Sequence, residues 1–234
     1  MRPLVILTII LFTAINASAS PGYDNLELFN DIIKTYKPQM DLKLGVSVET
    51  FVVEDSEVDL SYAMGGITIS RRILREWTPL QLALATCHEV GHVLGQWFSS
   101  KYFFSPEGEA DYFSGSCFKR FLDSKGADIA ALGSYERLVT DAKCDNSSEK
   151  HCNLIVSVTR GLISTVSHTE VNENDLDLSE TLPRDERTIY SSYPSNNCRV
   201  LTMISGALLL DRPLCWFYPE LGHERFQQVP SRSK

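Results

Sequence analysis

The chain has 234 residues, of which 43% are hydrophobic and 22% are charged, an ordinary balance for a globular protein with a buried core. Its formal net charge is −8 and it has no basic run, which argues against nucleic acid as a partner. The sequence has no internal repeat, so we predict a single folded domain.

The N-terminus has the pattern of a secretory signal peptide over residues 1–19. Arg2 supplies the positive charge, residues 4–15 form an apolar stretch too short to span a bilayer comfortably, and residues 17–19 form a small-x-small cleavage site. We therefore expect an exported protein, periplasmic or secreted, whose mature domain covers 20–234 and has no integral membrane segment. An uncleaved N-terminal anchor is the alternative.

Six cysteines in an exported chain suggest three disulfide bonds. Six cysteines allow fifteen pairings, and the sequence alone does not choose among them. Short separations favour Cys144–Cys152 and Cys198–Cys215, and Cys87–Cys117 is then the remaining pair. A zinc site made of cysteines is the alternative, but the chain has no Cys-x-x-Cys pair, which such sites usually contain.

The first part of the mature chain is predicted to form one helix followed by short strands. Apolar residues at helical spacing predict a helix over 25–36, which ends at Lys37-Pro38. Strand-forming residues then predict β-structure over 42–53, 60–64 and 67–70.

A pair of glycines, Gly65-Gly66, precedes the last of these predicted strands. Two interpretations are open. The pair can mark a structural bulge, because glycine tolerates unusual backbone angles and close approach. Alternatively, it belongs to an edge strand beside a cleft, to which an extended peptide substrate could add through backbone hydrogen bonds.

The segment Thr78-Pro79-Leu80-Gln81 begins a helix, with an N-cap, a proline in the first turn and a capping box. Inside this helix lies a His-Glu-x-x-His sequence formed by His88, Glu89 and His92. Residues four apart share one helix face, so both imidazoles can reach one metal ion. Glu89 lies beside them, where its carboxylate can reach a water molecule at the metal. The spacing favours a zinc hydrolase.

A third ligand is expected on the next helix, which Ser105-Pro106 is predicted to begin. Glu107 falls in its first turn, where the positive helix end favours an ionised carboxylate. Asp111 lies one turn later and can accept the spare proton of a ligating histidine. Glu109 is the alternative third ligand, and an acidic first turn without a metal is the other interpretation. The metzincin pattern does not apply, because Phe98 stands where its third histidine would be.

The C-terminal half is predicted to contain a helix over 153–166 and a last helix that the segment 193–200 begins. The acidic stretch over 169–186 lacks aromatic residues and is predicted to be a mobile loop. Residues 224–234 are predicted to be a frayed tail.

Several of these segments together resemble the HtpX-like and CAAX-prenyl-protease-like family of gluzincin zinc metallopeptidases, in particular its soluble periplasmic members. The family has a Gly-Gly pair and a short strand, then His-Glu-x-x-His, Glu-x-x-x-Asp and a later His-Pro…Arg-Ile segment. The counterparts here are Ala63–Ser70, His88–His92, Glu107 with Asp111, and Tyr193-Pro194…Arg199-Val200. The family's later histidine is Tyr193 here, whose hydroxyl can also donate to an oxyanion.

The resemblance implies a zincin-like single domain of the α+β class, mostly α, with a small N-terminal sheet. It also implies an exported zinc metalloendopeptidase that hydrolyses peptides or unfolded proteins. The roles expected of the site residues are as follows: His88, His92 and Glu107 hold Zn²⁺, Glu89 is the general base, Tyr193 donates to the oxyanion, Asp111 orients a ligating histidine, and Arg199 positions the Tyr193 segment or contacts substrate.

Two other classes of function remain open at this stage. One is a catalytically silent, zinc-containing secreted binding or chaperone-like module that uses the Gly65-Gly66 strand edge. The other is a disulfide-stabilised interaction domain without a metal. The intact Glu89 argues against the first, because a zinc site without catalysis does not need that carboxylate. The sequence indicates no particular oligomeric state.

Overall fold

A computed structural model describes residues 24–54, 60–63, 65–95, 104–126, 132, 144, 151–167, 194–213 and 215. These residues are mostly helical and include one small sheet, so the predicted α+β class is confirmed. The elements in chain order are α1 (Asn25–Leu44), β1 (Glu49–Val53), β2 (Leu60–Ala63), β3 (Gly66–Ser70), α2 (Arg71–Glu76), α3 (Pro79–Leu94), α4 (Glu107–Lys125), α5 (Cys152–Ser167) and α6 (Asn196–Leu208).

Several sequence-based predictions lie outside the described residues. They are the signal peptide over 1–19, the mobile loop over 169–186, the tail over 224–234 and the position of Tyr193. Among the described helices, none is both long enough and apolar enough to cross a bilayer.

The sheet has three strands in the order β1-β3-β2. β1 runs parallel to β3, with Glu49 opposite Gly66, and β2 runs antiparallel to it, with Leu60 opposite Ile69. β3 is therefore central, and the prediction that the Gly65-Gly66 strand lies at an edge is wrong. The physical reason is burial, because Ile67 and Ile69 of β3 are fully buried, whereas most of β1 is exposed.

α1 is longer than its sequence predicts and passes through Pro38 to Leu44. A proline inside a helix removes one backbone hydrogen bond, but Tyr36 and Met40 on either side are buried in the core and hold the helix together. The helix ends instead at Gly45, whose φ of 71° is the left-handed conformation typical of a C-terminal cap. The strand predicted to start at residue 42 consequently starts only at Glu49.

α3 is the central helix of the core, buried without interruption from Leu82 to Val93. It packs against α1, α4, α5 and β2. Its N-terminus has the predicted capping box, in which Thr78 and Gln81 bond each other's backbone N–H groups. A helix that is buried on every side must be covered on every side, and this gives α3 its fixed position.

α4 and α6 cross in direct backbone contact. A Cβ on Gly115 of α4 would overlap the backbone carbonyl of Met203, and a Cβ on Gly206 of α6 would overlap the carbonyl of Tyr112. The two glycines therefore let the helices approach more closely than any other residue type would allow. This contact fixes where Arg199, one turn into α6, meets α4.

Three disulfide bonds connect the six cysteines, and their pairing is the one that short separations favour: Cys87–Cys117, Cys144–Cys152 and Cys198–Cys215. The first joins α3 to α4 directly behind the predicted metal ligands. The third joins α6 to the segment that follows it. The prediction of disulfide bonds is therefore confirmed.

Candidate metal centre

Two imidazoles project from one face of α3. His88 and His92 are four residues apart, and their ring centroids lie 4.6 Å apart with the planes nearly perpendicular. Both residues are buried, with about 8% of each exposed. The capping box and the buried surroundings of α3 fix the backbone from which the two rings project, as a metal site requires.

The third member of the cluster is Glu107, the first residue of α4. Its two carboxylate oxygens reach both rings: Oε2 lies 3.2 Å from Nε2 of His88, and Oε1 lies 3.6 Å from Nε2 of His92. A tetrahedral ion with bonds of about 2.0–2.1 Å separates its ligand atoms by about 3.3 Å. The observed separations are close to that value.

A glycine on α3 lets α4 come near enough for this contact. A Cβ built on Gly91 would lie 2.7 Å from the carbonyl oxygen of Ala110 and 2.8 Å from its Cα. These are backbone atoms of α4, so no side-chain rotation could relieve the overlap. Gly91, between the two histidines, is therefore where α4 crosses α3 and brings Glu107 to the imidazoles.

The nitrogen of each imidazole that faces away from the cluster has its own partner. Nδ1 of His88 lies 2.9 Å from Oδ1 of Asp111, and Nδ1 of His92 lies 2.8 Å from the backbone carbonyl oxygen of Ser105. The Ser105 carbonyl accepts a hydrogen bond from Nδ1 of His92, whereas Asp111 and Nδ1 of His88 are at ion-pair distance without hydrogen-bond geometry. The lone pair of each neutral ring is then on Nε2, the nitrogen that faces Glu107.

The start of α4 differs in one detail from its prediction. Pro106, and not Ser105, occupies the N-cap position, and no side chain caps the helix. Ser105 instead bonds α3 through its backbone: its N–H donates to the carbonyl of His92 at 2.6 Å. The same residue therefore both joins the two helices and orients the imidazole of His92.

Arg199 of α6 closes the cluster from the opposite side. Its guanidinium donates to both oxygens of Asp111, from Nε and Nη2, each at 2.9 Å, and Nη2 lies 3.5 Å from Oε2 of Glu107. This bidentate pairing fixes the Asp111 carboxylate in the orientation that faces His88. The residue predicted either to support the Tyr193 segment or to meet substrate is thus bonded to the acidic residues of α4.

The charges within the cluster shift its proton affinities strongly. Burial would raise the pKa of Asp111, but the charges and hydrogen bonds of Arg199 and His88 outweigh burial and hold the pKa at about 2. Burial likewise opposes ionisation of Glu107, yet His88, His92 and Arg199 lower its pKa. Both carboxylates are therefore ionised at neutral pH.

His88 has the opposite shift. Burial would lower its pKa, but Asp111 and Glu107 flank the ring and raise the pKa to about 10. Without a metal, the ring therefore carries a proton on each nitrogen at neutral pH. The proton on Nε2 of His88 occupies the position between His88 and Glu107 that a cation could take.

Glu89 lies next to His88 and lines the same cleft, with only 7% of the residue exposed. Burial raises its pKa, and the positive charges of His92 and His88 offset part of that rise. The backbone N–H of Tyr62 in β2 donates to the carboxylate. Because this N–H faces away from β3, the outer edge of β2 faces the metal-site residues.

The chemistry of the cluster suits a metal ion. Donor atoms of His88, His92 and Glu107 all lie within 4.8 Å of one another. Two imidazoles that could each offer Nε2 to a cation and one ionised carboxylate are a donor set of the kind that binds divalent transition metals. This group could hold a metal ion, so the prediction of a possible metal site at these three residues is confirmed.

The other residues singled out from the sequence lie elsewhere. Glu109, the alternative third ligand, is bound by Arg212 at 2.7 and 3.0 Å and is away from the imidazoles. Gly65 and Gly66 lie at the start of the central strand, where the ring of Phe51 covers Gly66. The strand that lines the cleft is β2, through Leu60.

Two contributors to the site have no signal in the sequence. The Ser105 carbonyl and the Tyr62 N–H are backbone groups, which every residue type carries. Only the relative placement of α3, α4 and β2 brings them to His92 and Glu89.

Comparison of the chain with protein-family models, with curated proteins and with solved structures finds no match in any of the three.

Proposed function

We propose that this protein is an exported zinc-dependent metalloendopeptidase. The observation that carries the proposal is that His88, a member of the His88–His92–Glu107 cluster, and the buried carboxylate of Glu89 line one cleft. Two imidazoles and one carboxylate would supply the three protein ligands that are typical of catalytic zinc sites. Structural zinc sites use four protein ligands and have no need of a neighbouring carboxylate.

Zinc in such a site lowers the pKa of water toward 7 and polarises a substrate carbonyl. The residues of the chain perform the remaining steps. Glu89 accepts a proton from the attacking water and delivers it to the leaving amine, and its raised pKa suits both roles. Asp111 and the Ser105 carbonyl hold the two imidazoles in one tautomer, and Arg199 fixes Asp111.

The outer edge of β2 is the surface on which we propose that an extended substrate lies. Among the described residues, no strand pairs with that edge. Its Tyr62 N–H donates to Glu89, so a peptide that pairs with the other backbone groups of this edge would pass the catalytic carboxylate. This replaces the Gly65-Gly66 strand of the sequence-based hypothesis.

Membership of the HtpX-like gluzincin group remains our proposal for the family. It is supported by the order of the motifs and by Arg199, which bonds the Glu107 and Asp111 carboxylates. In this proposal Tyr193 donates to the oxyanion. Three disulfides among the described residues support export to an oxidising compartment.

The test is zinc content and cleavage of an unfolded protein by the purified chain and by Glu89→Gln. We expect about one zinc per chain in both, and cleavage reduced about 10²–10⁴-fold in the variant, since the substitution removes only proton transfer. Glu76→Gln, an exposed glutamate outside the cleft, is the matched control and should cleave normally. Zinc without Glu89-dependent cleavage would favour the binding module, and no zinc in either would overturn the proposal.

A further inference from the structure

A cavity of about 420 Å³ opens beside His88 and Glu89 and continues away from them. Ala85 of α3 lies three residues before His88, on the same helix face and about 4.5 Å along the axis. α5 forms the facing wall with Leu162, Ile163 and Val166. The volume is within the range of about 300–1,000 Å³ that ligand pockets usually have.

The cavity has one charged end and one apolar end. The charged residues that line it are His88, Glu89 and Arg199, all members of the candidate metal centre or in contact with it. The α5 side chains beyond them are apolar up to Ser167, which with Asn196 of α6 is an uncharged polar lining residue, and Leu162 and Ile163 are almost fully buried in the core. Trp77 and Leu60 complete that end, beside the outer edge of β2.

The apolar end presents no described charge with which a charged side chain could pair. A lysine or aspartate placed there would lose its hydration without a partner, which is strongly unfavourable. An apolar side chain would instead leave water at no such penalty.

We propose that this cavity takes the side chain of a substrate residue flanking the cleaved bond, and that it selects residues of the size of leucine or phenylalanine. This inference rests on the proposed peptidase function. A peptide lying along β2 with its scissile carbonyl at Glu89 points the neighbouring side chain into the cavity. Ala85, Leu162 and Val166 are then the residues that determine specificity.

Ala85 offers a direct test, because leucine has nearly the same helix propensity as alanine and would fill the cavity floor. Val166→Phe is the second variant. Because 41% of Val166 is exposed, a larger side chain can be accommodated there without unfolding the protein and would narrow the opening of the cavity. Val52→Phe is its matched control, since Val52 of β1 is 39% exposed and does not line the cavity.

The experiment first maps cleavage of a diverse peptide mixture by mass spectrometry and then compares two peptides that differ only at the selected position. We expect an apolar residue at one flanking position. The ratio of kcat/KM for the phenylalanine peptide over the alanine peptide should fall about tenfold or more in Ala85→Leu and in Val166→Phe. It should not change in Val52→Phe.

A second measurement does not depend on catalysis. Ligand-observed NMR of Glu89→Gln with phenylalanine amide and lysine amide should detect binding of the first only, and Ala85→Leu in the same background should abolish it. Glu89-dependent cleavage without an apolar preference at either flanking position overturns this inference and leaves the proposed function standing. If Glu89-dependent cleavage is absent, the proposed function fails. Equal binding of the two amides by itself overturns the proposal that the cavity selects apolar side chains.

Discussion

The two histidines of the candidate metal centre show how single residues gain a defined role from their partners. His88 and His92 are chemically identical side chains on one helix, but one donates its Nδ1 proton toward a buried carboxylate and the other to a backbone carbonyl. Burial would lower the pKa of His88, but its charged partner Asp111, together with Glu107, outweighs burial and raises the pKa. The pKa of His88 is accordingly about 10.

Zinc binding should therefore release a proton from His88 near neutral pH. A pKa of about 10 means that the metal-free ring is protonated there, and zinc requires the neutral ring. Zinc affinity is expected to rise about tenfold per pH unit between pH 7 and 9, because one proton leaves for each ion bound. Calorimetric titration in buffers of different ionisation enthalpy directly measures the number of protons released per zinc ion bound.

Asp111→Asn is the control for this titration. Removing the carboxylate charge lowers the pKa of His88, so the variant should release clearly less than one proton at pH 8. It should also bind zinc about 10–100-fold more weakly at pH 9, because the ring loses its orienting acceptor. A proton count near zero in the unmodified protein would contradict the assignment of His88 as a charged ring in the metal-free state.

At the level of elements, the site depends on the crossing of α3 and α4 at Gly91. The backbone of Ala110 occupies the space that a Cβ at this position would need. The Cys87–Cys117 bond joins the same two helices, so α4 cannot simply move away along its whole length. A small change in residue size at the crossing must therefore displace Glu107 relative to the imidazoles.

Gly91→Ala is expected to destabilise the protein by about 1–3 kcal/mol through overpacking and to weaken zinc binding about tenfold or more. Val90→Ala is the matched control: it removes methyl groups from the adjacent, fully buried position and costs a similar free energy of unfolding. It leaves the helix crossing unchanged, so its zinc affinity should stay normal. Urea unfolding and competition with a zinc chelator measure the two quantities, and equal zinc affinities in both variants would refute the displacement of Glu107.

The elements also show where local sequence rules are reliable. The start of α3 follows from Thr78-Pro79-Leu80-Gln81 because capping is a contact among neighbouring residues. The end of α1 does not follow from Lys37-Pro38, because burial of Met40 on the far side of the proline is a tertiary effect. The central position of β3 is likewise decided by which strands pair with it, and pairing partners leave no local signal.

At the level of the whole molecule, the buried cluster links stability to pH. The lowered pKa of Asp111, about 2 against an ordinary 3.8, stabilises the fold above pH 3.8, and this contribution is lost as the pH falls toward 2. The raised pKa of His88, about 10 against 6.5, stabilises it below pH 6.5, and this contribution is lost as the pH rises toward 10. Glu89, whose pKa is also raised, adds to the alkaline loss from its ordinary 4.5 upward.

The metal-free protein should accordingly lose stability as the pH falls below about 3.8 and as it rises above about 6.5. Urea unfolding in chelator, with the disulfides intact, measures the profile. Added zinc should remove much of the alkaline loss, because it binds the neutral His88 that high pH produces. A stability that rises steadily from pH 6.5 to 9 in chelator would contradict the cluster's charge assignment.

The sequence by itself determined the helical spacing of His88 and His92, the capped start of their helix and the mostly helical class. These are properties of neighbouring residues or of residue type, and short-range rules describe them. Only the tertiary structure decided that Glu107 rather than Glu109 faces the imidazoles, that Arg199 holds Asp111, and that β2 rather than β3 lines the cleft. Each of these depends on how α3, α4, α6 and the sheet pack together, and packing is set by contacts between residues far apart in the chain.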